Sequence, residues 1–300
     1  MIIVAAVALL AAAGLLVLRP PGAVAKWLRA LDAGERRSVA IWADPSAAAA
    51  HLEAIDEGQS YRPAGSYQES EVAAYTAAQL RMMGYGVWEQ PFTRLADDGQ
   101  AVSVNIVALG RSRPWEAGAH DPSGAGTPTV LVGAPLSPES ALTATRFDDG
   151  SGLAAMLECA RAVSEMQLDF NVAFVAFGGS AHGRAGSKAF CDGIASGPVA
   201  PGGLAMAIVI DAVDGDAPIS LIPWAGTRAS SPRVLEGAAD AIHAATGSRV
   251  RFDTTLAFMR TVAADSSPFI VAGTPALTLT TSPSSPHFRV GADRSLASQG

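Results

Sequence analysis

The sequence predicts an α/β protein: a three-layer α/β/α sandwich on a mixed, mainly parallel central sheet, with an N-terminal transmembrane helix ahead of it. Apolar runs of strand length alternate with longer helical stretches along most of the chain. Several runs, among them Asn171–Phe177 and Leu204–Ile210, are apolar almost throughout, as expected of strands covered by helices on both faces. Ile2–Leu18 is an uncharged run of Ile, Val, Ala, Leu and one Gly, closed by Arg19, Pro20 and Pro21. Its length is at the lower limit for a spanning helix, roughly 17 to 25 residues.

The predicted strands are Val87–Phe92, Val102–Leu109, Thr129–Gly133, Asn171–Phe177, Leu204–Ile210 and Ala276–Thr280, the first two forming an antiparallel hairpin. Ala25–Asp32 and Ser46–Ile55 read as short helical pieces of a juxtamembrane connector. A longer helix starts at Ser66, where Ser-Tyr-Gln-Glu spells a capping box with Glu69. Val72, Ala73, Thr76, Leu80 and Met83 line one face of it, and Gly84 is its stop. Further helices are predicted over Gly152–Met166, Ala185–Cys191 and Pro232–Thr246. The chain therefore divides into a membrane anchor or signal-like segment (1–19), a connector (20–58) and one globular domain (59–300).

Composition narrows the function. A net charge of −7 without a Lys/Arg cluster offers nothing to neutralise a phosphate backbone, which argues against a nucleic-acid partner. The two cysteines, Cys159 and Cys191, fall in separate predicted helices outside any metal-ligand spacing, which disfavours a disulfide framework and a structural zinc site. For Ile2–Leu18 the alternatives are an uncleaved anchor and a cleaved signal peptide. The anchor is favoured, because no Lys or Arg precedes the run and it exceeds a normal signal core. Arg19, Lys26, Arg29, Arg36 and Arg37 follow it, which by the positive-inside rule would leave the domain in the cytoplasm.

In sheets of this kind functional groups collect just beyond the strand ends. Four such segments stand out: Val132-Gly-Ala-Pro-Leu-Ser137, Phe147-Asp-Asp-Gly-Ser-Gly152, Phe177-Gly-Gly-Ser-Ala-His-Gly-Arg-Ala-Gly-Ser187 and Ile210-Asp-Ala-Val-Asp214. They resemble, in order, the Gly-Ala-His-x-Asp, Asp-Asn-Gly-Ser-Gly, Phe-x-x-Glu-Glu-x-Gly-x-x-Gly-Ser and strand-end Asp segments of the zinc aminopeptidases, peptidase family M28. Arg62-Pro-Ala-Gly-Ser66, Gly84-Tyr-Gly-Val87, Gln90-Pro-Phe92, Asn105-Ile-Val-Ala108, Asp265-Ser-Ser-Pro-Phe269 and Gly273-Thr-Pro-Ala-Leu277 extend the resemblance over about Ser60 to His287. It implies the three-layer fold and, in intact members, two zinc ions that activate a shared water with help from a Glu base. The domain would then lie outside the cell, against the charge distribution.

Carried over residue by residue, the bridging Asp is Asp148, the strand-end Asp is Asp211 and the last His matches His287. The other positions have changed. The first metal His falls at Pro135, the Asp supporting it at Ser137, the general base at Ser180 and a further metal Glu at Ala181. Each ion needs about three protein ligands, and neither keeps that number. His120-Asp121 resembles the missing His motif but precedes its strand inside a Gly/Pro/Ser loop, and His182 follows the lost Glu pair at a tolerant position. Ser180 with His182 lacks the nucleophile-elbow pattern and an orienting Asp, so a serine hydrolase is disfavoured. His51 and His243 read as ordinary helix histidines, Asp149 and Asp214 as turn or capping carboxylates, and Gly150 and Gly152 as permitting tight entry into the following helix.

The expectation is a membrane-tethered pseudoenzyme used in binding, scaffolding or assembly. No cofactor is expected, the expected partner is another membrane or membrane-associated protein, and a concave cleft would suit a peptide terminus. The alternative is an active metallo-aminopeptidase that holds zinc in a site rebuilt around Asp148, Asp211 and His287.

Overall fold

The computed structural model describes residues 44–56, 62–96, 99–110, 128–136, 150–166, 168, 170–180, 183–194, 203–213, 219–223, 239–240, 242–243, 251–252 and 264–281. Five helices carry the description: α1 (Pro45–Asp56), α2 (Tyr67–Met82), α3 (Ser151–Ser164), α4 (Ala185–Ile194) and α5 (Ser267–Val271). The strands are β1 (Gly86–Ala96), β2 (Gly99–Gly110), β3 (Thr129–Pro135), β4 (Asn171–Phe177), β5 (Leu204–Ile210), β6 (Ser220–Pro223), β7 (Arg251–Phe252) and β8 (Ala276–Thr280). They form one sheet in the order β1-β2-β4-β3-β5-β8-β6-β7. β4, β3, β5 and β8 run parallel, while β1, β2 and β6 join antiparallel. The mixed, mainly parallel sheet is thus as the sequence predicts, and β1 and β2 form the expected antiparallel pair.

Strand periodicity explains why the central runs are apolar throughout. Ile106, Val130, Phe174 and Ile208 point into one core with α1, α2 and α3, whereas their neighbours Val107, Leu131, Val175 and Val209 point into a second core. Phe177, Phe190 and Phe269 fill the second core, with ring centroids 5.9–6.0 Å apart. Cys159 belongs to the first core and Cys191 packs against the second, so the sheet lies between two free thiols. Burial pushes both thiols up to about 12, helped by Glu158 for Cys159 and by Asp192 and Asp265 for Cys191.

The termini of α2 follow the sequence in part. At its C-terminus Gly84 takes φ +87°, with Gly84 N–H donating to Arg81 and Tyr85 N–H to Leu80, the pattern that satisfies late helical carbonyls. At its N-terminus Ser66 accepts from the Glu69 N–H at 3.1 Å, but the reciprocal half of the predicted capping box is redirected. The Glu69 carboxylate accepts from Gly65 N–H at 2.6 Å and from groups on β2 and beyond β4. Tertiary contacts outcompete the local cap.

Residues 45–56, read as connector, form α1 and dock on α3 in antiparallel fashion. Asp44 N–H donates to Glu158 Oε1 at 2.6 Å in the second half of α3, while Ile55, 2% exposed, packs where a side chain on Gly150 would stand, just before α3 begins. Arg161 pairs with the same buried Glu158 at 2.7 Å. No helix among the described residues is long and apolar enough to cross a membrane, and Ile2–Leu18 lies outside them.

Candidate functional site

The carboxyl ends of β4, β3 and β5 lie side by side, because those strands are parallel neighbours. Pro135 is the last residue of β3 and pairs with Phe177, and Leu136 N–H then donates to the Phe177 carbonyl at 2.8 Å. Asp211 follows β5, is 6% exposed, and donates its N–H to Leu279 of β8 at 3.0 Å. Ser180 follows β4 by three residues and is buried. The structure thus gathers three of the sequence-predicted positions on one edge of the sheet. Only one of them, Asp211, carries an ionisable group.

The start of α3 closes the β5 side. A Cβ on Gly152 would meet the carbonyl oxygens of Ile210 and Asp211 at 2.7 and 2.8 Å, so the helix needs glycine there to approach the strand end. Ser151 Oγ accepts from Val213 N–H at 2.9 Å, tying the helix to the turn after Asp211.

Ser180 is engaged, not poised. Its hydroxyl lies within hydrogen-bond reach of the Phe177 carbonyl, 3.2 Å away, and of the Asp265 carboxylate. Asp265 sits just before α5, is 4% exposed, and accepts from Ser187 Oγ at 2.6 Å. Burial raises its pKa above the ordinary 3.8. The Arg184 charge and the Ser187 and Ser180 hydrogen bonds oppose that rise, and the Asp211 carboxylate adds to it. Arg184 takes φ +61°, a left-handed conformation that costs an arginine on the order of 1–3 kcal/mol.

Beneath this edge lies a polar support. Glu69, 1% exposed, accepts from Gly179 N–H at 3.2 Å and from Ser103 Oγ at 2.9 Å. Asn105, fully buried on β2, accepts from Gly178 N–H at 3.1 Å and donates at 2.9 Å to both the Gly186 carbonyl and Gln90 Oε1. The loop after β4 is therefore held at Gly178, Gly179 and Gly186 by side chains reaching up from α2 and β2. Sequence reasoning singled out none of Glu69, Ser103, Asn105, Arg184, Ser187 or Asp265 for the site. The signal was indirect: Asn105, Ser187 and Asp265 each stand inside a family-like segment.

Ser137, Asp148, Asp149, Ala181, His182, Asp214, His287, His120 and Asp121 lie outside the described residues. Among the described residues there is no cluster of three or more His, Cys, Asp or Glu side chains suited to a metal. His51 belongs to packing: its Nδ1 is 2.7 Å from Tyr75 Oη across the α1–α2 contact, and burial lowers its pKa. His243 is exposed.

Comparison with known proteins agrees with this architecture. Residues 139–295, just over half of the chain, match the family model described as Peptidase family M28. No curated protein matches the sequence. Among solved structures, an aminopeptidase from Aneurinibacillus sp. strain AM-1 aligns with a TM-score of 0.63 at 14% identity, over 84% of this chain and 88% of that one. A zinc aminopeptidase from Bacillus subtilis aligns at 0.61 and 14% over 78% and 84%. The glutaminyl cyclase of Porphyromonas gingivalis aligns at 0.58 and 18% over 79% and 83%. At such identities the structural likeness speaks for the fold alone, and the sequence match over the C-terminal half supplies the family. The chain belongs to peptidase family M28.

Proposed function

We propose that this chain is a non-catalytic member of its family, tethered to a membrane through Ile2–Leu18 and used in binding, scaffolding or assembly with another membrane protein. The observation that carries the reading is the pairing of Pro135 with Phe177 at the strand edge where the family's first metal histidine belongs. A proline ring has no lone pair for a metal, and the buried Ser180 hydroxyl at the general-base position is no carboxylate. Zinc is the cofactor that the family implies. These residues do not fit it, so no chemical step is derived through it.

A second reading, an active peptide hydrolase with a zinc site rebuilt around Asp148, Asp211 and His287, is favoured by the buried Asp211 carboxylate at the end of β5. Its relatives in fold include zinc aminopeptidases and glutaminyl cyclases. Elemental analysis of the full chain purified without chelator, with assays on aminoacyl anilides, dipeptides and N-terminal glutaminyl peptides under added zinc, cobalt or manganese, separates the two. The expected result is substoichiometric metal and no turnover, since losing a general base alone removes about 10²- to 10⁴-fold of rate. Stoichiometric zinc with turnover abolished by Asp211→Ala would overturn the proposal.

A further inference from the structure

The last turn of α1 reaches the strand edge from below. Ile55 Cγ2 lies 2.6 Å from where a Cβ on Gly150 would stand, and Gly150 directly precedes the Ser151 and Gly152 that meet the turn at Asp211. Arg62, 1% exposed, donates from Nη1 to the Ile55 carbonyl and from Nε to the Leu136 carbonyl, both at 3.4 Å. Leu136 follows Pro135 and is bonded to the end of β4. The edge therefore leans on α1 at both Leu136 and Gly150.

α1 itself is lightly held. Ile55 is its one buried residue, with Ala48 and Leu52 packed partly against the first core. The remainder of the seat is polar and centres on the half-buried His51, whose Nδ1 is 2.7 Å from Tyr75 Oη with the rings edge-on. A neutral ring can accept there from the phenol, which burial keeps protonated, whereas an imidazolium has donors only. From α3, Glu158 and Arg161 face the ring. The Glu158 carboxylate is already committed: Oε1 accepts from Asp44 N–H and Arg161 Nη2, and Oε2 from Arg161 Nε. An imidazolium would thus be a second cation beside Arg161, whose other carboxylate partner, Glu165, is exposed. Glu71, one turn before Tyr75 on α2, and Glu53 on α1 are exposed as well.

We propose that α1 is an acid-sensitive latch on the strand edge: protonation of His51 weakens its seat on α2 and α3 and, through Ile55 and Arg62, loosens the edge at Leu136 and Gly150. Burial lowers the His51 pKa below 6.5, with Glu158 opposing and Arg161 adding to the shift. Docking therefore keeps its full strength above 6.5, where the ring is neutral in both states, and weakens as pH falls from there through the lowered value. This goes beyond the metal-free reading above and does not depend on it, because it concerns how firmly the edge is held and not what the edge binds.

The test follows amide hydrogen exchange in the full chain, held in non-ionic detergent, from about pH 7.5 to about pH 5.5, with rates corrected for the intrinsic effect of pH. Protection across Pro45–Asp56 is expected to fall below pH 6.5, by at most about tenfold per pH unit, the limit set by one proton. The Leu136 amide, bonded to the Phe177 carbonyl, and the Ala154 amide, bonded to the Gly150 carbonyl, are expected to lose protection with it. His51→Gln and His51→Phe cannot take the proton, and in both the profile is expected to be flat, with thermal melting to show that each is folded. Protection of α1 that is flat with pH in the parent overturns the proposal, as does an equal acid loss in either folded variant. Acid opening of α1 that leaves the Leu136 and Ala154 amides unchanged overturns it too.

Discussion

The strand edge and the layer directly beneath it have had different fates. At the edge, Pro135 and Ser180, which the sequence resemblance equates with a metal ligand and a base, are both satisfied by backbone pairing or local hydrogen bonds. Beneath it, Glu69 and Asn105 remain buried and fully engaged with the loop that would present the chemistry. The difference shows that holding a loop and performing a reaction are assigned to separate side chains. The Ser180 hydroxyl at the edge has few partners, so it can be replaced at little cost to folding. A buried carboxylate accepting from several donors cannot be replaced cheaply, because each donor left unsatisfied in the interior costs about 1–3 kcal/mol.

The largest effect is therefore expected beneath the edge. Glu69→Ala strands Gly65 N–H, Gly179 N–H and Ser103 Oγ, and should lower stability by on the order of 3–5 kcal/mol in urea unfolding. A loss under about 1 kcal/mol would mean that the support is not what fixes the loop.

An intermediate effect, visible as a pH dependence, is expected at Asp265. Its folded-state pKa is raised above the ordinary 3.8, chiefly by burial. Between those two values the folded chain holds a proton that the unfolded chain has released, so stability falls as pH rises through the window. Asp265→Asn keeps a polar group facing Ser187 and Ser180 but cannot ionise. The stability of Asp265→Asn relative to the parent should improve as pH goes from about 4 to 7. A difference that is flat, or that runs the other way, would show Asp265 to be ionised throughout and stabilised by Arg184.

The smallest effect belongs to Ser180. Ser180→Ala removes one hydroxyl whose partners, the Phe177 carbonyl and Asp265, keep other contacts: Leu136 N–H and Ser187 Oγ. The expected change in urea stability is within about 0.5–1.5 kcal/mol. A loss as large as that of Glu69→Ala would place Ser180 among the supports and erase the contrast between edge and support.

Much of the fold was legible in the sequence. Asn171–Phe177, Leu204–Ile210 and Ala276–Thr280 coincide with β4, β5 and β8, because strands covered on both faces announce themselves as apolar runs. Ser220–Pro223 and Arg251–Phe252 were not legible, since strands of four and two residues have no periodicity to read and exist through pairing with β8 and with each other. At the site, the positions of Pro135, Ser180 and Asp211 followed from their places after strands. The Asp265–Ser187 bond joins residues 78 apart, and Glu69 reaches 110 residues to Gly179. Local pattern carries no information on such pairs, and for Glu69 it pointed to a cap that tertiary structure redirected.

The antiparallel seating of α1 on α3 also has a mechanical side. Its contacts run from Asp44 on Glu158 to Ile55 beside Gly150, along a helix about 18 Å long at 1.5 Å per residue. A pull on Asp44 directed away from the strand carboxyl ends acts along that axis. It loads the contacts in shear, all at once, whereas a sideways pull would peel them one by one. Strain arriving from the N-terminal side would thus be borne by the α1–α3 seam before it reached the loop after β4.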